Sequence, residues 1–106
     1  MSDLKQSLMK ALLTIPGITE KVWQGNDGDF SSLSYKNKDF AHFHNDNELD
    51  LRLTAKIIKA ENISRPNRSK YHPGRSNNSP WIELQFTHSN DIQEIIRLVK
   101  LAITQL

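Results

Sequence analysis

The chain has 106 residues, of which 37% are hydrophobic and 25% charged, and its formal net charge is +2. This length and composition predict one globular domain spanning residues 1–106. A net charge this small gives no case by itself for nucleic-acid binding. The absence of cysteine excludes disulfides, thiol catalysis and thiolate metal sites.

Two further classes of protein are not expected from the sequence. No apolar run reaches the roughly 18–20 residues that cross a bilayer. The first residues lack the apolar core of a secretion signal. A cytoplasmic protein without a membrane segment is therefore predicted.

The first element is a predicted helix over residues 2–13, which Pro16-Gly17 would end. Its apolar residues recur at intervals of three and four, so they line one side of the helix. They are Leu4, Leu8, Ala11, Leu12 and Ile15. A narrow stripe of this kind predicts a helix that lies on a sheet.

Two strands are predicted next, over residues 18–24 and 30–36. Between them residues 25–29, Gly-Asn-Asp-Gly-Asp, predict a loop. This loop lacks the EF-hand spacing, so a plain turn is expected rather than a calcium site. A turn at Asn37-Lys38 would lead directly into the next strand and give an antiparallel meander.

Residues 38–53 form two alternating runs joined by a polar turn, the pattern of a β-hairpin with one apolar and one polar face. We predict a three-residue loop at residues 45–47. The resulting pairs are Phe40–Arg52, Ala41–Leu51, His42–Asp50, Phe43–Leu49 and His44–Glu48. A two-residue loop would slip this pairing by one and place the histidines among the leucines. The first register is preferred because it sets apolar residues against apolar ones and histidine against acid.

The connection to the last strand contains a short helix and a long basic loop. Thr54 is predicted to cap the helix, which continues to about residue 61. Residues 64–80 predict a loop without acidic residues. Its cations are Arg65, Arg68, Lys70 and Arg75. Loops longer than about 12–15 residues in a small domain are usually functional or disordered. Residues 81–87 then predict a strand.

The C-terminal helix is the clearest element of the sequence. Ser89 or Asn90 is predicted to cap it, with Gln93 completing a capping box. Its apolar stripe consists of Ile92, Ile95, Ile96, Val99, Ala102, Ile103 and Leu106, widened by Leu98 and Leu101. A stripe of this length predicts the main packing partner of the sheet.

Two motifs resemble a known family of small domains. The run Phe40-Ala41-His42-Phe43-His44, followed by Leu49-Asp50-Leu51-Arg52-Leu53, is similar to the hairpin of the "luciferase domain" family. A later His72-Pro73 pair, a strand led by Trp81 and a C-terminal helix follow the same order. The resemblance implies an α+β domain of unknown molecular function. No sequence here resembles the flavin or adenylate sites of characterised light-emitting enzymes, so the resemblance is used for the fold.

The polar face of the hairpin holds the candidate functional residues. We expect His42, His44, Asp50, Arg52 and Phe40 to share this face. The Arg52 guanidinium could donate two parallel hydrogen bonds to an anion, and the histidines could donate further ones. Trp81 and Phe40, with Tyr71, would supply an apolar wall, and His72 lies on the loop that could fold over them. His42 with Asp50 is the candidate general base of an enzyme.

Other functions remain open for the same residues. His42, His44 and Asp50 could form a two-histidine, one-carboxylate metal site with His72 as a fourth ligand, although Arg52 would repel the cation. The basic loop could contact nucleic-acid phosphates. The face could also be the solvated side of an antiparallel sheet.

The sequence therefore predicts an α+β domain in which an antiparallel meander of four or five strands is packed by the C-terminal helix. An N-terminal helix and a short middle helix complete it. The favoured function is binding of a small anionic ligand or a protein partner at the His/Asp/Arg face, without a cofactor. A metal-assisted or acid–base enzyme is the alternative, and a nucleic-acid-binding accessory protein is the third. Whether the protein is an enzyme is left undecided.

Overall fold

The computed structural model describes residues 3–25, 28–45, 48–63 and 79–106. These residues form three helices and five strands. In chain order they are α1 (Asp3–Leu13), β1 (Ile18–Gly25), β2 (Gly28–Tyr35), β3 (Lys38–Asn45), β4 (Glu48–Arg52), α2 (Ala55–Ala60), β5 (Trp81–Gln85) and α3 (Ser89–Ile103). The predicted α+β class is confirmed.

The strands form one antiparallel sheet in the order β1-β2-β3-β4-β5. Each strand therefore lies beside its neighbour in the sequence, as the predicted meander requires. The loop predicted at residues 25–29 is shorter than expected, because Gly25 ends β1 and Gly28 begins β2. Their Cα atoms are paired across the two strands.

The turn between β2 and β3 is formed by Lys36 and Asn37, one residue earlier than predicted. Both have positive φ, 48° and 71°, and the flanking Tyr35 and Lys38 are paired. Two consecutive positive φ values are typical of a type I′ turn, whose twist matches that of the adjoining strands. Gly17, which has φ 92°, anchors the turn because its carbonyl accepts from the Lys36 N–H at 3.0 Å.

The pairing of β3 with its neighbours contains two irregularities. Opposite β2, Leu33 pairs with Ala41 and Ser34 with Asp39, so Phe40 is an extra residue. Opposite β4, the ladder shifts between Phe43 and Asn45, so His44 is an extra residue. Such bulges interrupt the regular alternation of side chains along a strand.

One face of the sheet packs against the helices and forms the hydrophobic core. Its fully buried strand residues are Leu33, Phe40, Ala41, Phe43, Leu49, Leu51 and Ile82, and they belong to one cluster with Leu8 and Leu12 of α1 and Ile58 of α2. α3 adds Ile92, Ile95, Leu98, Val99 and Ala102 to the same cluster. The Phe43 and Phe86 rings meet edge to face with centroids 6.2 Å apart. The helices thus leave the other face of the sheet to polar residues.

The start of α2 is fixed from two sides. The Thr54 hydroxyl accepts from the Ile57 N–H at 3.2 Å, which confirms the predicted cap. The Pro80 carbonyl accepts from the Leu53 and Thr54 N–H groups at 2.8 and 3.1 Å. These bonds hold Thr54 at φ 87°, a conformation uncommon for a β-branched residue.

The start of α3 differs from the prediction. The N-cap residue is His88. The side chain that completes the capping box by accepting from the N-cap backbone N–H is that of Asp91 rather than Gln93. Its carboxylate accepts from the Thr87 N–H at 2.9 Å and the His88 N–H at 3.1 Å. These two donors hold the pKa of Asp91 below its ordinary value.

An arginine on the outer side of α3 joins this helix to the end of α2. Arg97 Nη1 lies 2.7 Å from Oε1 of Glu61, the C-cap residue of α2. Arg97 also forms an ion pair with Glu94, one turn earlier in α3. Donating hydrogen bonds to Glu94 and Glu61 raises the pKa of Arg97, and accepting one from Arg97 lowers the pKa of Glu94. Within the described ranges, no helix combines the length and apolar character that crossing a membrane requires.

Candidate functional site

One row of residues crosses all five strands on the face turned away from the helices. Lys21 pairs with Ser32, Ser32 with His42, His42 with Asp50, and Asp50 with Glu83. We name the surface built on this row, together with Trp81, the polar face. The predicted pairing of His42 with Asp50 is confirmed, and Leu49 and Leu51 on either side of Asp50 are buried in the core.

Asp50 and Ser32 are buried although they belong to the polar face. Each has only 1% of its surface exposed. A buried carboxylate is tolerated in a folded protein when its oxygens have hydrogen-bond or charge partners. Asp50, Ser32 and Glu83 each take part in such interactions. The middle of the polar face is therefore a built polar environment rather than a solvated surface.

The rings of His42 and Trp81 stack on each other. Their centroids are 5.0 Å apart and their planes differ by 10°. Both side chains are half-buried. Because His42 lies on β3 and Trp81 on β5, the contact spans β4, the strand that carries Asp50. The predicted aromatic wall at Trp81 thus lies beside His42.

Arg52 ends β4 directly opposite Trp81, and its side chain is exposed. It also borders a cavity of about 350 Å³ at the end of the sheet. The cavity lining consists of Lys38, Arg52, Thr54, Ala102, Gln105 and Leu106. Arg52 therefore lies between the polar face and this cavity.

Phe40 does not share the polar face, and this prediction was wrong. Its side chain has no exposed surface and belongs to the core cluster. The reason is the bulge at Phe40, which breaks the alternation that would have placed it on the same side as His42. A ligand on the polar face has no access to this ring.

The predicted three-residue loop at residues 45–47 and its pair between His44 and Glu48 were also wrong, because Asn45 belongs to β3 and pairs with Glu48. The backbone of His44 lies in β3, but its side chain falls outside the described part of the chain. His72, Tyr71 and the cations of the basic loop fall in residues 64–78, which are likewise outside it.

The predicted metal site falls partly among the residues that the structure describes. Among them, no group of three or more histidine, aspartate or glutamate side chains could hold a metal ion. The proposed ligand set of His42, His44 and Asp50 includes a side chain beyond that part of the chain. The metal site therefore stays a prediction.

Sequence reasoning missed Glu83, Ser32 and Lys21. The alternation of residues 81–87 does place Glu83 on the outer side of its strand. Its position opposite Asp50 depends on the register of β5 against β4. A long connection precedes β5, so no turn rule predicts that register from the sequence.

Comparisons with known proteins gave one match. The family model described as Luciferase domain matches residues 37–102, which is more than half of the chain. The matched range begins at the turn before β3 and ends in the last turn of α3. No curated protein and no solved structure matches the chain.

Proposed function

The chain belongs to the Luciferase domain family, and from that premise we propose that its polar face binds a small anionic ligand. In this proposal His42 and Arg52 contact the ligand, and Trp81 provides a flat apolar wall. Asp50 orients His42 from below. The cytoplasmic location and the single-domain organisation expected from the sequence stay predictions.

The observation that carries the proposal is the buried Asp50 directly opposite the half-buried His42. Side chains at opposed positions of an antiparallel pair have Cβ atoms about 4.5–5.5 Å apart, so the carboxylate lies within reach of the imidazole. Bonding one ring nitrogen to a carboxylate fixes the ring and leaves the other nitrogen for a ligand. Stacking on Trp81 restrains the same ring a second time.

Arg52 supplies the charge that an anion requires. Its guanidinium is exposed at the end of β4, next to Trp81 in the ladder. Planar guanidinium groups bind carboxylates and phosphates with two parallel hydrogen bonds, which gives both affinity and orientation. This pairing of charge, donor and aromatic wall is the composition of a small-ligand site.

The test uses inorganic phosphate, citrate and adenosine monophosphate as probes, followed by thermal unfolding. A ligand that binds only the native state adds about 2.7 kcal/mol to stability at a hundredfold excess over its Kd, which raises Tm. We expect at least one probe to raise Tm, and Arg52→Ala and His42→Ala to weaken its binding at least tenfold.

Matched controls are available on the helices. Arg97→Ala removes an exposed arginine from α3, and His88→Ala removes an exposed histidine at its N-cap. Both should retain the affinity of the unchanged protein. If no probe raises Tm, or if the control variants weaken binding as much as the others, the anion site is rejected. If a protein partner binds this face instead, Arg52→Ala should weaken that complex, and the small anions should not raise Tm.

The pairing of His42 with Asp50 also favours acid–base catalysis as a second candidate, because a carboxylate commonly orients a histidine general base. The test is hydrolysis of p-nitrophenyl acetate and p-nitrophenyl phosphate. Turnover that His42→Ala abolishes and His88→Ala retains would support this candidate. Equal rates in all three proteins would reject it for these ester classes.

A further inference from the structure

The cavity at the end of the sheet is a second feature with the chemistry of a binding site. It lies between the first residue of β3, the last residue of β4 and the last turn of α3. We propose that it binds a small amphiphilic anion, a carboxylate or phosphate carrying a short alkyl chain. Its volume of about 350 Å³ lies within the range of roughly 300–1,000 Å³ for small-molecule pockets.

Two cations border the cavity. Lys38 and Arg52 are both exposed. Among the described residues, neither side chain has an ion pair or a side-chain hydrogen bond. Two positive charges on one small cavity repel each other, so an anion between them lowers the energy of the site.

The end of α3 does not require these cations for its own stability. Its last carbonyls are already bonded, since Leu101, Ala102 and Ile103 accept from the N–H groups of Thr104, Gln105 and Leu106. A helix C-terminus carries only about half a negative charge. The two full positive charges of Lys38 and Arg52 outweigh it, so the cavity favours anions over cations.

The remaining lining matches the other parts of an amphiphilic ligand. Ala102 and the half-buried Leu106 are apolar, and an alkyl chain on them would leave water. The Thr54 hydroxyl and the Gln105 amide are polar groups at the same cavity. Thr54 also keeps its unusual φ of 87° at this position. Non-glycine residues held in such conformations are concentrated at ligand sites.

This site goes beyond the ligand site on the polar face and shares only Arg52 with it. Lys38 distinguishes the cavity, and His42 distinguishes the polar face. A variant of one of these two residues tests one site and leaves the other intact. The two proposals can therefore fail separately.

The experiment is a titration of isotope-labelled protein with acetate, butyrate, hexanoate and inorganic phosphate, followed by NMR. Hexanoate should shift the backbone signals of Lys38, Thr54, Gln105 and Leu106 in a saturable way. Full burial of a methylene group strengthens binding about fourfold. Affinity should accordingly rise from acetate to hexanoate, by up to that factor per methylene.

Three variants decide between the sites. Lys38→Ala should weaken hexanoate binding at least fivefold, and Leu106→Ser should remove the dependence on chain length while acetate binding is kept. Lys10→Ala, an exposed lysine of α1 that does not line the cavity, should behave like the unchanged protein. No saturable shifts at the cavity, or hexanoate binding abolished by His42→Ala and unaffected by Lys38→Ala, would overturn the proposal. The latter result would assign the anion to the polar face instead.

Discussion

Asp50 shows most clearly how one residue can belong to the polar face and to the interior at once. Its neighbours in β4, Leu49 and Leu51, point into the core, so Asp50 points to the opposite side of the sheet. It is nevertheless almost completely buried. An Asp50→Asn substitution leaves the groups that interact with Asp50 without a carboxylate in a site that is closed to solvent.

The first prediction therefore concerns Asp50→Asn. We expect the free energy of unfolding to fall by about 1–3 kcal/mol, because hydrogen bonds to buried charged groups are among the stronger ones. Denaturant titration measures this change. Asp39→Asn, which alters an exposed aspartate on β3, should change stability by less than about 0.5 kcal/mol. Equal effects at the two positions would mean that the burial of Asp50 has no energetic consequence.

A second prediction at this scale concerns the positive φ of Asn37, 71°. Asparagine tolerates the left-handed region, whereas a β-branched side chain there is strained. Asn37→Val should reduce the free energy of unfolding by about 1–2 kcal/mol, and Asn37→Gly should leave it unchanged or slightly higher. Lys38→Val, at the first residue of β3, serves as the control. A valine that is equally tolerated at both positions would argue against the I′ geometry.

At the scale of single elements, the start of α3 is stabilised by a charge rather than by the predicted Asn90 and Gln93. The Thr87 and His88 N–H groups, which would otherwise lie unpaired before the first turn, both donate to Asp91. Negative charge at this end of a helix is also favoured by the helix dipole. The sequence contains several residues able to cap here. In the folded chain, the Asp91 carboxylate is the group that reaches the Thr87 and His88 N–H groups.

This cap predicts a pH dependence. Because folding lowers the pKa of Asp91 below its ordinary 3.8, the stabilisation is present above pH 3.8 and is lost as the pH falls through the folded-state value. Asp91→Ala should lower Tm by a few degrees at pH 7 and by less at pH 3. Thermal unfolding at the two pH values measures the difference. Asn90→Ala on the same turn should show no such pH dependence, and an equal Tm loss for Asp91→Ala at both pH values would contradict the role of the charge.

At the scale of the whole molecule, the sheet separates an apolar face covered by helices from the polar face. All three helices contribute apolar residues to the same cluster on one face. The other face carries the row from Lys21 to Glu83 across five strands. Since the core is complete without the polar row, the binding that we propose for His42 and Arg52 does not compete with core packing. The family match covers β3, β4, β5 and α3, which hold most of this row, and it includes four of the six residues that line the cavity.

The sequence by itself determined the element order, the apolar stripes of α1 and α3, and the opposition of His42 and Asp50. These follow from local periodicity and from a hairpin whose two faces differ in polarity, and both are visible in a few neighbouring residues. Only the tertiary structure decided three further features. They are the burial of Phe40, the position of Glu83 opposite Asp50, and the stacking of Trp81 on His42. Each depends on a bulge or on the register of β5, which packing fixes between residues far apart in the chain.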